Sequence, residues 1–168
     1  MPLLKGGQFV DDPWRAVDDD EDLPNGRPVI VSLARWRRDR DLIRRRNGPL
    51  GVRLEAGDDP AEIADDVARL DLVALTFPTF RDGRAYSSAR LLRERYGFAG
   101  ELRAVGQVLR DQFLFMHRCG FDAFEVEPGA AEDGWRKSLA ELSVWYQPAT
   151  DSRTPVLSLR HARSAAAE

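Results

Sequence analysis

The chain has 168 residues, of which 43% are hydrophobic and 32% charged, with a formal net charge of -3. Those values describe one globular domain long enough to bury a core, and they exclude a disordered or strongly basic nucleic-acid-binding chain. Cys119 is the single cysteine, so neither an intrachain disulfide nor a cysteine cluster can form.

Among the 25 Lys+Arg residues only Lys5 and Lys137 are lysine. Arginine suits bidentate contacts to carboxylate, phosphate or sulfate. No charged-then-apolar leader opens the chain and no apolar run reaches membrane-spanning length, so a cytoplasmic protein with no membrane partner is expected.

Residues 1–27 read as a small extension. Leu3-Leu4-Lys5 and Gln8-Phe9-Val10 flank Gly6-Gly7, which predicts a hairpin. Asp11 to Asp22 is an acidic arm with Trp14 and Val17 as anchors. Residues 28–148 then alternate between two periodicities. Pro28 to Leu33 reads as the first central strand, and Arg35 to Arg46 as a basic, thinly amphipathic helix. Its arginines suit a solvated face neutralised by the acidic arm, or an acidic partner or RNA.

Leu50 to Leu54 is the second strand, and Asp59-Pro60 opens a helix with Ile63, Val67 and Leu70 at helical spacing. The segment Leu72 to Arg90 is the most informative. Its apolar strand stops at Pro78, a polar loop follows, and a helix opens with Ala85, Ser88, Ala89, Leu92 and Tyr96 on one face.

Glu101 to Val105 is the fourth strand. Val108 to Cys119 reads as a helix with Val108, Gln112, Phe115 and Cys119 in one stripe. Ala123 to Glu127 is the fifth strand, and Glu132 to Tyr146 a last helix. Residues 149–168 read as a loose tail, with Val156, Leu157 and Leu159 able to add a short strand. The class is α/β, a single domain of about five βα units on a mainly parallel sheet. An open doubly wound sheet is expected, with a partial β/α barrel as the alternative.

Either architecture brings the loops after the strands to one rim, where ligands bind. The candidate residues there are Asp82, Gly83, Arg84, Tyr86, Ser87, Arg90, Arg110, Asp111 and Gln112. A helix start with arginines, a hydroxyl and free backbone amides suits a small oxyanion. Ordinary capping with solvated arginines accounts for the same residues. Cys119 reads as a buried, inert thiol. His117 is two positions from it, so the two do not face each other and no metal site is expected. No phosphate-cradling loop and no GxGxxG follows a strand, so no cofactor is predicted.

Phe77-Pro-Thr-Phe-Arg-Asp-Gly-Arg-Ala-Tyr-Ser-Ser-Ala-Arg90 and Gly100-Glu-Leu-Arg-Ala-Val-Gly-Gln-Val-Leu-Arg-Asp-Gln112 resemble the bacterial domain-of-unknown-function family 934. Gly120-Phe-Asp-Ala-Phe124 and Asp11-Asp12-Pro13-Trp14 are also similar, with Pro13 inserted where the family often reads Asp-Trp. The resemblance covers most of residues 1–147. It implies an accessory protein of assimilatory sulfate and sulfite reduction, acting with sulfite reductase or its electron donor by docking or anion handling. The oxidoreductase label attached to the family implies the alternative, a small α/β enzyme or ligand-binding domain with an oxyanion pocket. No catalytic residue carries over.

Overall fold

The computed structural model describes residues 1–151 and 153–165. Eight strands form one sheet: β1 (Leu3–Lys5), β2 (Gln8–Val10), β3 (Arg15–Ala16), β4 (Val29–Ser32), β5 (Leu50–Leu54), β6 (Leu72–Phe77), β7 (Glu101–Gly106) and β8 (Ala123–Glu125). Their order across the sheet is β2-β1-β8-β7-β6-β5-β4-β3. From β3 to β8 all neighbours are parallel, while β1 is antiparallel to both β2 and β8.

That order corrects the expectation of a doubly wound sheet. A doubly wound chain reverses direction across its sheet and covers both faces with helices. Here β4 to β8 advance one place at a time without reversal. Right-handed crossovers that always step the same way leave the helices on one face. The sheet curls into a half-barrel with antiparallel edge strands, which is the partial-barrel alternative.

The two faces differ in composition. The helix-covered face contributes Val29, Val31, Val52, Leu54, Val73, Leu75, Phe77, Leu102 and Phe124 to the main core. Against them pack Trp36 and Ile43 of α1 (Leu33–Arg44), and Ile63 and Val67 of a run of 3-10 turns (Pro60–Arg69). Ala89 of α2 (Arg84–Arg90), Met116 of α3 (Phe113–Arg118) and Trp135 of α4 (Glu132–Ser138) complete it. The concave face holds a smaller cluster, Ile30, Leu72, Ala74 and Val105, covered by Trp14 of the acidic arm. The arm is therefore a lid on the inner face, tied to the sheet edge as β3.

The arginines of α1 are engaged internally. Arg40 and Arg44 both grip Asp66, with Nε–Oδ distances of 2.8 and 2.9 Å. Arg37 pairs with Glu62. Arg35 donates to the carbonyls of Asp18 and Glu21, and Arg46 to that of Pro24. Carboxylates of the 3-10 run neutralise part of the basic helix, and carbonyls of the arm satisfy further guanidinium donors.

Several elements depart from their expected form. The segment after Pro60 is 3-10 rather than α, and α2 passes into a π turn over Leu91–Arg95. The predicted helix from Val108 begins only at Arg110, as a 3-10 turn before α3. The helix predicted to reach Tyr146 stops at Ser138. Trp145 is then held between Arg118 and Arg153, whose guanidinium carbons lie 4.1 and 5.0 Å from its ring centroid. The predicted tail strand is instead a helix, α5 (Val156–Ala165). Ser152 and residues 166–168 of that tail lie outside the described residues.

Candidate functional site

Because β4 to β8 are parallel, the loops that follow them emerge at one end of the sheet. Three are demonstrably tied together. Gln107, just past β7, accepts the Phe80 N–H at 3.1 Å, and Gln112 donates its amide to the Phe80 carbonyl at 2.7 Å. Gly57, past β5, abuts the Arg84 guanidinium so closely that a Cβ there would sit 2.8 Å from Nη1. Gly106 makes the turn out of β7 with φ of 90°, a left-handed value glycine adopts without strain. The loops after β5, β6 and β7 therefore meet, with Gln112 linking the last two through Phe80.

The rim does not assemble the predicted anion grip. Asp82 accepts from Arg84 through Nε at 3.0 Å and Nη2 at 2.6 Å, and also caps the Arg84 N–H at 3.2 Å. These hydrogen bonds hold the Asp82 carboxyl at about 2, far below its usual value. Arg90 pairs with Glu94 one turn along the same helix, at 2.9 Å. Each cation thus meets its own carboxylate. Gly83 has φ of -88°, and a Cβ there would meet Tyr86 at an ordinary 3.8 Å, so no close approach requires glycine there. Ser87 is exposed, and Asp111 makes no side-chain cap to the turn it opens.

Tyr86 turns inward instead. Its ring meets Phe77 edge-on at a centroid distance of 5.2 Å. Burial, with a smaller contribution from nearby Cys119, pushes its phenol up to about 12. Cys119 is half-buried and its thiol is also raised, first by that burial.

Arg110 lies close against Gly134, and both line a cleft of about 540 Å³ with Val108, Leu109, Glu127 and Trp135. Among the described residues, neither Arg110 nor Arg81 has an acidic partner within salt-bridge distance. Arg81 lies over the Phe80 ring at 5.3 Å.

The sequence pattern missed the apolar part of the rim. Phe115, which the helical spacing puts in one stripe with Cys119, is 57% exposed, while Phe113, Leu114 and Met116 are buried. The 3-10 turn before α3 delays the helix and shifts which face meets the sheet. Phe80 and Leu109 are also open, at 45% and 38%. Leu109 precedes Gln112 by three residues, Phe115 follows it by three, and Phe80 rests on its amide.

Among the described residues no group of three or more His, Cys, Asp or Glu is placed to hold a metal ion. None of their helices is long and apolar enough to cross a membrane. The sequence model described as "Bacterial protein of unknown function (DUF934)" matches residues 51–157, the stretch that carries this rim. No curated protein matches the chain.

Proposed function

The chain belongs to the family of bacterial proteins of unknown function DUF934, and from that premise we propose that it is an accessory protein of assimilatory sulfite reduction that docks on sulfite reductase or its electron donor. The pathway rests on the family resemblance. The mode of action rests on one observation: Arg84 and Arg90 are occupied by their own carboxylates, whereas Phe80, Leu109 and Phe115 stay exposed on the segments that follow β6 and β7. Isolated exposed apolar side chains are ordinary, but several gathered at a functional rim suit a protein partner. Aromatic anchors of this kind carry most of the energy of an interface.

The test is complementation. A deletion strain should grow poorly on sulfate or sulfite and normally on cysteine. The wild-type gene should restore growth and co-purify the reductase. Phe80→Asp with Leu109→Asp should weaken that association by roughly 10- to 100-fold, the scale of losing two anchors, while leaving the unfolding midpoint unchanged. Normal growth and reductase assembly in the deletion strain would refute the reading.

A ligand-binding function is the second reading, favoured by the cleft that Arg110 lines together with Glu127 and Gly134. It predicts a thermal shift with sulfite or sulfate that Arg110→Ala abolishes. A silent screen of sulfur oxyanions, nucleotides and flavins would discard it.

A further inference from the structure

The concave face carries charge that the rim does not use. Strand register aligns Ser32, Arg53, Ala74, Arg103, Ala123 and Lys5 in one row across six neighbouring strands. Neighbouring strands are about 4.8 Å apart, so Arg53 and Arg103 stand roughly 10 Å apart with the Ala74 methyl as floor between them.

Arg103 is the most deeply buried cation on this face, its side chain 1% exposed. A guanidinium taken out of water is costly unless its donors are matched. Two partners come from the sheet itself, Glu101 at 2.7 Å and Glu125 at 3.3 Å. The third, Asp12, comes from the arm. It grips Nη1 and Nη2 in a fork at 2.7 and 3.0 Å, the geometry in which arginine recognises a free carboxylate.

The two sides of that fork differ in access. Arg103 is sealed, but the Asp12 side chain is 27% exposed. Beyond β3 the arm is anchored, since Val17 is buried with its N–H on the Ile30 carbonyl and Ser32 donates to Asp19 at 2.6 Å; ahead of β3, Trp14 above the inner cluster is half-buried. The Thr76 hydroxyl, on the same face one pleat beyond Ala74, is buried without a hydrogen-bond partner. Arg53 remains exposed and is met only by Glu55 of its own segment.

We propose that this concave face is a binding site for a small carboxylate, which Asp12 occupies as an internal stand-in and from which residues 11–14 are displaced when the ligand enters. Exchange of one carboxylate for another leaves the charge around Arg103 unchanged. The ligand therefore competes only with the contacts of the arm. Arg53, in register with Arg103, is placed to receive a second acidic group, so dicarboxylates bind better than monocarboxylates. This site is independent of the docking role of the rim.

The experiment is hydrogen exchange on the full chain, with sodium glutarate or acetate against sodium chloride at equal ionic strength. Glutarate should raise exchange of the amides at residues 11–14 at least threefold and saturably, with residues 50–54 unaffected. In Asp12→Ala the competitor is gone, and calorimetric affinity for glutarate should rise at least tenfold over wild type. Asp12→Asn, which keeps the shape of the side chain, replaces it if the alanine variant does not fold. An arm that exchanges alike in glutarate and chloride would overturn the proposal, as would equal or absent glutarate binding in wild type and variant.

Discussion

Asp66 shows what a single residue does in this chain. It is 2% exposed and faces two arginines of α1. Burial opposes its charge, but hydrogen bonds from Arg40 and Arg44 outweigh burial and hold the carboxyl below its usual value. A depressed folded value means that this stability is present above the unfolded pKa, near pH 4, and is lost as pH falls through the folded value. Asp66→Asn leaves two guanidinium groups facing a neutral amide. The arginines are about one-third exposed, so the cost should be about 2–3 kcal/mol rather than the full cost of breaking a buried pair. Urea unfolding at pH 7 should show that loss, and the gap between variant and wild type should narrow by pH 3. A constant gap across that range would mean the role of Asp66 is steric rather than ionic.

At the scale of elements, the strands were the legible part. The apolar runs at Leu50–Leu54 and Leu72–Phe77 and the hairpin about Gly6-Gly7 stand where their patterns place them. The order of those strands was not legible, because periodicity reports burial and not the direction of each crossover. β3 was also hidden, since two residues of an acidic arm carry no strand pattern. Arg103 interrupts an apolar strand, but its partner Asp12 is 91 residues away and no local signal joins them. Arg84 and Arg90 are the opposite case, closed by carboxylates two and four residues away, a local spacing that was there to be read.

The β1–β2 hairpin illustrates an element whose value lies in what it covers. Leu3 and Leu4 are buried, and β1 pairs with the otherwise open edge of β8. The outer strand is protected in turn, because Glu132 accepts the Phe9 N–H at 2.7 Å. Open edges invite pairing between chains. Deleting residues 1–10 should therefore convert a well-dispersed chain into oligomers and aggregate, read by size exclusion with light scattering. Glu132→Ala should do so more weakly. A truncated chain that elutes as wild type does would show that β8 needs no cover.

For the whole molecule, the near absence of lysine makes the alkaline limb interpretable. Arginine stays charged beyond pH 12, so the ionic links to Asp12, Asp66 and Asp82 persist where lysine-based links would fail. Apart from arginine, the residue types that ionise in alkali are few here, one cysteine, two lysines and three tyrosines. Tyr86 is pushed up to about 12 by its burial. A folded value above the unfolded one means that the folded state holds the proton longer. Stability from this group is complete below pH 10 and is lost as pH rises through the folded value. Cys119, raised in the same direction, begins its loss earlier. Tyr86→Phe removes the ionisable group while keeping the ring against Phe77. It should flatten the decline between pH 10 and 12 by up to about 2 kcal/mol, given about 1.4 kcal/mol per unit. Chemical unfolding of both proteins across that range gives the comparison. Parallel curves would mean that the phenol is solvated, and that the inward turn of Tyr86 beneath the rim is not its state in solution.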